Sequence, residues 1–164
     1  KAMNNNEKII IITTLLFSCV AIYAQEPIKY HADIDVGYTL GVGAVPIDRF
    51  NLHSIQGVTF HECYSLGFGF GADFYQVGGE TKVVTPLFLD LKVYYPQKQA
   101  NSLFIGLSSG VGIRKGDVGL YLMPTLGIKA RNLKIQVGYN IQRLSFSGAE
   151  VTLGGVQVIL GFIL

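Results

Sequence analysis

Tryptophan is absent from this 164-residue sequence, and charge is scarce: Asp, Glu, Lys and Arg together make up 15% of it. A soluble domain carries about 25% charged residues, so this chain has too few to solvate an ordinary globular surface. The formal net charge of +2 supplies no basic surface for a nucleic-acid partner. Cysteine is confined to Cys19 and Cys63. Loss of the N-terminal segment would leave Cys63 alone, with no internal disulfide possible. Beyond residue 25 no apolar run approaches the ~20 residues of a membrane-spanning helix, and no helical periodicity occurs. The chain is thus too apolar for a water-soluble domain and has no helix to carry that apolarity.

The N-terminus has the layout of a signal peptide. Lys8, partly offset by Glu7, precedes the uncharged core "IIIITTLLFSCVAIY", and "AIYAQ" offers Ala24 as the small residue before a cut. Residues 1–24 are therefore expected to be a leader, with Met3 as the start, and residues 25–164 the mature domain, exported through that leader. An uncleaved anchor helix is the alternative, for which the uncharged run is short.

From residue 28 onward the two-residue alternation of strands is nearly continuous. It predicts eight strands, at Tyr30–Gly43, Phe50–Phe60, Tyr64–Tyr75, Leu87–Tyr95, Leu103–Ile113, Gly119–Ala130, Leu133–Ile141 and Gly155–Leu164. The second is the least regular. The turn signals between them ("VPIDR", "HEC", "QVGGETK", "PQKQAN", "RKGD", "RN", "SFSGAE") are short. Tightly joined antiparallel strands form a meander, and a meander of eight can close into an up-and-down barrel. The expected fold is thus all-β.

Two such barrels differ in which face is apolar. A soluble lipocalin-like barrel turns its apolar face inward around a greasy ligand. A transmembrane barrel turns it outward. Eight strands enclose an interior only just wide enough for side chains, and the apolar faces carry more bulk than that space can hold. The opposite faces are rich in Gly, Ser and Thr. His31, Asp33, Asp35, Asp73, Asp90, Lys92, Lys129 and Lys134 all fall in the polar phase, and no apolar phase carries a charge in mid-strand. The expected arrangement is therefore a lumen cluster of those eight residues. The expected lipid face includes Leu66, Phe68, Phe70, Leu87, Leu89, Leu91, Ile135, Val137, Val158, Leu160 and Phe162. In "YSLGFGFGADFY", Gly67, Gly69 and Gly71 then face a crowded lumen, leaving room for Phe88, Tyr94, Phe104 and Tyr121. Aromatic girdles are expected from Tyr30, Phe60, Tyr64, Tyr95 and Phe162 at one rim, and from Phe50, Phe74, Tyr75 and Phe146 at the other. Both termini would lie on the periplasmic side. The connections at 44–49, 76–86, 114–118 and 145–150 would lie outside, and the turns at 61–63, 96–101 and 131–132 in the periplasm.

Motifs of chemistry are few. "GFGFGA" lacks the G-x-G-x-x-G spacing and the following helix of a dinucleotide site. His31, Asp33 and Asp35 share a face that could hold a cation, but pairing with Lys92, Lys129 or Lys134 is the expected outcome for buried charge. His53 and Ser54, with Asp48 nearby, are the one pattern resembling a lipid-modifying barrel enzyme, yet adjacent strand residues point to opposite faces. Asp90 and Lys92 suggest either a selectivity cluster or a salt-bridged plug, and the narrow lumen favours the plug. No catalytic residue, cofactor or metal site is expected. A narrow pore for ions or small solutes is the alternative to a structural or surface-interaction role.

The stretches "IQGVTFHECYSLGFGFGADFY", "PLFLDLKVYY" and "LMPTLGIKA" resemble the small outer-membrane β-barrel proteins of the Bacteroidota, and more broadly the eight-stranded, porin-family-like barrels of the OmpX and OmpA type. That resemblance implies a Gram-negative outer membrane, with its lipid as the surrounding partner and a monomeric barrel. It also implies insertion by the barrel assembly machinery, which reads the C-terminal strand. Here that strand ends "GFIL", with Phe162 in phase and Leu164 last.

Overall fold

The computed structural model describes residues 28–43, 45–77, 79–95, 101–114, 117–146 and 149–164. The expected leader at 1–24, including Cys19, lies outside the described residues, as do most of the turn at 96–101 and the side chain of Phe146. The eight strands are β1 (Lys29–Val42), β2 (Arg49–Phe60), β3 (Tyr64–Val77), β4 (Glu80–Tyr95), β5 (Asn101–Arg114), β6 (Asp117–Ala130), β7 (Leu133–Phe146) and β8 (Ala149–Ile163). Each pairs antiparallel with the next, and β8 returns to β1, so the sheet is a closed barrel. The path of pairing from Lys29 runs through Thr59, Ser65, Lys92, Gly106, Thr125, Gly138 and Gln157. It re-enters β1 at Thr39, ten residues beyond its start. A stagger of this size goes with strands tilted by about 35–45°, and a 14-residue strand at that tilt rises roughly 35 Å.

Several strands outrun the alternation that predicted them. β4 begins at Glu80 instead of Leu87, and β8 at Ala149 instead of Gly155. The expected outer connection at 76–86 is consequently no loop. β3 runs to Val77, and the chain reverses within two residues, with Gly79 at φ 82°. Pro86 explains the error: proline cannot donate to a ladder and usually marks a strand end. Here it sits inside β4, and the pairs that would join Gly71 and Ala72 to Pro86 and Thr85 drop out of an otherwise continuous register. Pro124 does the same to the β6–β7 ladder.

The β2–β3 turn is more constrained. His61 and Glu62 both adopt φ 52°, a left-handed conformation that costs a non-glycine residue roughly 1 kcal/mol or more. The turn is held by Cys63 N donating to Phe60 O at 3.4 Å and Tyr94 N to Cys63 O at 2.7 Å. Lys29 reaches across to Glu62 at 2.6 Å. The C-terminus is stitched in as well. Leu164 N donates to Ala32 O at 2.8 Å and Ile163 N to Asn132 O at 2.7 Å, while Asn132 Nδ2 donates to Ile163 O at 2.9 Å.

The polarity of the barrel is inverted relative to a water-soluble domain. Leu89 is 57% exposed and Leu160 55%, whereas Asp33 is 1% exposed and Lys134 is completely buried. A lipocalin-like barrel with an apolar lumen is excluded by this interior. The girdle residues Tyr30, Phe60, Tyr64, Tyr95 and Phe162 point outward, with Phe60 stacked on Tyr64 at 5.6 Å between centroids. Tyr75 does not join the opposite girdle. It is one residue out of phase with Phe74 and lies buried in the lumen.

The alternating glycines of β3 face inward, where space is short. A β-carbon on Gly69 would collide with the Phe88 ring, as the sequence suggests. One on Gly71 would strike His53 and one on Gly67 would strike Ile55, neither of them the expected aromatic. Gly127 gives the same room to Phe104. Gly69→Leu should therefore lower barrel stability by about 1–3 kcal/mol, read as a lower urea midpoint by far-UV circular dichroism in detergent micelles. Combining it with Phe88→Ala should recover part of the loss.

Candidate functional site: the filled lumen

The inner half of the lumen holds a buried ion cluster. Lys134 on β7 bonds Asp33 Oδ2 and lies 3.0 Å from Asp35 Oδ1, so one ammonium bridges two carboxylates of β1 from across β8. On the facing wall Lys92 pairs with Asp90, which also accepts from Ser108 Oγ at 2.8 Å. Gln136 Nε2 donates to Asp35 Oδ2 at 3.4 Å. Towards the end of the barrel that carries the chain termini, His31 sets its ring nitrogens against Thr59 and Ser65, each at 3.2 Å.

Above this cluster the interior turns apolar. Ile55, Phe88, Tyr121, Met123 and Ile159, none more than 2% exposed, fill the cross-section. Phe88 stacks on Tyr121 at 5.2 Å, and His53 meets Phe88 edge-on at 5.4 Å. Outward of that layer lies a second polar network. Asp73 Oδ1 accepts from Asn51 Nδ2 at 2.6 Å and contacts His53 Nε2 at 2.9 Å, and Thr39 Oγ1 donates to Asn51 Oδ1 at 2.7 Å. Arg49, 1% exposed, donates through Nη2 to Asn140 Oδ1 at 2.6 Å and lies 5.4 Å from the centre of the Tyr75 ring. Tyr75 Oη in turn bonds Gln142. Ile47, Val84, Val151 and Leu153 pack against Tyr75 and cap the outer end.

The eight residues marked for the lumen thus divide. Asp33, Asp35, Asp90, Lys92 and Lys134 come together in the inner cluster, with His31 beside it. Asp73 belongs to the outer network. Lys129 stands at the inner mouth, its ammonium 5.3 Å from the centre of the Tyr94 ring. There a vestibule of about 370 Å³ opens, lined by Lys29, His31, Thr59, Tyr94 and Lys129 among others. Of the residues marked for the apolar face, Leu66, Phe68, Phe70, Leu89, Leu91, Ile135, Val137, Val158, Leu160 and Phe162 are exposed on the outer wall, and Leu87 is part-exposed there.

The sequence misses the key outer residue, Arg49, by ending the "VPIDR" turn one residue too late. Arg49, Asn51, His53 and Ile55 share one phase, and a strand begun at Arg49 would have collected all four. Gln136, Asn140 and Gln157 are visible on the polar faces of β7 and β8, but nothing in the sequence shows that they link strands across the lumen. His53 and Ser54 do face opposite ways: His53 contacts Asp73 inside, while Ser54 Oγ accepts from Gln56 Nε2 at 3.2 Å on the outer wall. Asp48 accepts from Tyr38 Oη at 3.1 Å and Gly41 N at 2.9 Å. Among the described residues no group of three or more His, Cys, Asp or Glu is placed to hold a metal ion.

Fold and interior together define a small eight-stranded barrel of the outer-membrane type with a filled lumen. The Neisserial surface protein A crystal structure superposes with a TM-score of 0.67 over 85% of this chain and 99% of that chain, at 8% identity. The N-terminal β-barrel domain of Pseudomonas aeruginosa OprF (TM-score 0.45, 11% identity, 83% of this chain and all 100% of that one) is similar at a lower level. So is the Yersinia pestis outer membrane protein Ail in a phospholipid bilayer nanodisc (TM-score 0.44, 14% identity, 83% and 100%). No protein-family model matches the sequence, and no curated protein matches it. At 8% identity, the likeness to the first structure establishes a shared fold and nothing about activity.

Removing one partner of a buried ion pair leaves an uncompensated charge, at a cost of about 3–5 kcal/mol. Lys134→Met should incur that loss, because it strands both Asp33 and Asp35. Adding Asp33→Asn and Asp35→Asn should restore much of it, as measured by urea unfolding in micelles.

Proposed function

We propose that this chain is an integral outer-membrane β-barrel protein with a structural or surface-interaction role, closed to the passage of solutes. The observation that carries this is the inversion of polarity: charge is sequestered inside and a wall made mostly of Leu, Ile, Val and Phe is turned outward. In water such a wall would drive aggregation. In a bilayer it is the required surface, and barrel closure satisfies the backbone groups that lipid cannot. The expected surroundings are outer-membrane lipid, reached after export and insertion by the barrel assembly machinery, with Phe162 in the last strand as part of the insertion signal. The Bacteroidota-type assignment rests on the sequence resemblance.

The apolar layer of Ile55, Phe88, Tyr121, Met123 and Ile159 supports a plug over a pore, because an ion crossing it would exchange the carboxylates of the inner cluster for ring and aliphatic surface. A catalytic role draws no support from His53, whose neighbours are Asp73 and two aromatic rings. The short outer connections leave little surface for a large receptor, so the interaction role is one of rim and wall.

The native chain should sediment with outer membranes and migrate differently in detergent gels before and after boiling; recovery in the soluble periplasmic fraction would overturn the proposal. In planar bilayers it should give a flat current trace, and discrete steps would favour the pore. Leu89→Arg places a charge on the outer wall near mid-strand, where it should cost about 2–4 kcal/mol and block insertion. Normal assembly of that variant would show the outer wall does not meet lipid.

A further inference from the structure

The inner ion cluster is not balanced. Asp33, Asp35 and Asp90 face only Lys92 and Lys134, and none of the five side chains is more than 4% exposed. Lys129 stands apart, its ammonium over the face of Tyr94 on the vestibule side. His31 is occupied by hydroxyl groups, not carboxylates. Arg49 belongs to the outer network, beyond the apolar layer. The cluster is thus one positive charge short in a region where unpaired charge is costly.

The same place is short of donors. Asp33 Oδ1 and Gln136 Oε1 are buried and accept no hydrogen bond, and Asp35 Oδ1 meets only the ion contact with Lys134. Gln136 is 2% exposed, and its amide is oriented by Nε2 donating to Asp35; the reverse orientation would set oxygen against oxygen. The cluster therefore presents buried oxygen acceptors of two kinds, carboxylate and amide, with a deficit of one positive charge. Hard cations are ligated by such oxygens, and a deficit of one suits a monovalent ion. A divalent ion would ask for more carboxylates than the two lysines leave free. The vestibule of about 370 Å³ brings solvent to the inner mouth, where the buried Tyr94 forms part of its lining.

We propose that the inner lumen holds a monovalent hard cation, bound by Asp33, Asp35 and Gln136 beside Lys134. The cation completes the charge of the plug and ties β1 to β7.

The test is thermal unfolding of the refolded barrel in a non-ionic detergent, read as loss of the fast-migrating gel band, at constant ionic strength. Sodium chloride and potassium chloride are each compared with choline chloride, whose cation is too large to enter. The midpoint should rise by about 4 °C when the small cation reaches ten times its dissociation constant. Asp35→Asn, which balances the cluster, should abolish that difference. If that variant fails to fold, Gln136→Leu, which removes an oxygen without changing charge, should shift the response to higher cation concentration. Equal midpoints in sodium, potassium and choline would overturn the proposal. So would a midpoint that follows pH alone, since a proton on an aspartate or on His31 would then supply the charge. Stabilisation by calcium chloride but by neither monovalent salt would overturn it too.

Discussion

The hydrogen-bonded seam between β1 and β8 is the constraint on which the rest of the barrel depends. It joins strands from opposite ends of the described chain, with Asp33 opposite Ile163 and Val42 opposite Gly154. Once it forms, no strand has a free edge. Closure with a ten-residue stagger also fixes the bore, and the bore decides what the inner faces can hold. Phe88, Phe104 and Lys134 each lie over the paired position of the neighbouring strand, which is Gly69, Gly127 and Gly161 in turn, where a β-carbon would collide with them. The poor strand propensity of Gly67, Gly69 and Gly71 is the consequence of that geometry.

The polar residues of the lumen span it. Lys134 reaches Asp33 over 101 residues of chain, Arg49 reaches Asn140 over 91, and Tyr75 reaches Gln142 over 67. Buried ion pairs are weak net stabilisers, because desolvation offsets most of their attraction. Their effect here is on register. Side chains alternate with a period of two, so a one-residue slip at any strand would turn its charged set out onto the apolar wall. The ladders, continuous except beside Pro86 and Pro124, and the lumen network therefore select the same arrangement, while the apolar layer lies between the two networks.

Where the sequence misled, the cause was local chemistry overridden by closure. Alternation puts the start of β4 at Leu87, just after Pro86, yet the hairpin to β3 carries the strand seven residues further back, to Glu80. Proline's missing donor is tolerated because the ladder resumes on both sides of it. Arg49 resembled a turn residue because it follows Pro46 and Asp48, and Tyr75 resembled a girdle residue because it sits near a strand end. Their common fate, Arg49 over the ring of Tyr75 inside the barrel, depends on their being paired neighbours on β2 and β3. No single-strand pattern carries that information.

Alternation by itself determined the strands, the antiparallel meander and the two kinds of face. It also placed Asp33, Asp35, Asp90, Lys92 and Lys134 on one side of the sheet, because successive strand residues point to opposite faces. Only the tertiary structure decided which of those charges meet. Lys134 chooses Asp33 and Asp35, Lys92 stays with Asp90, and Asp73 is drawn to Asn51 and His53 beyond an apolar layer. The reason is that a face is a property of one strand, whereas a partner across the lumen depends on the stagger of all eight, which exists only once the barrel is closed.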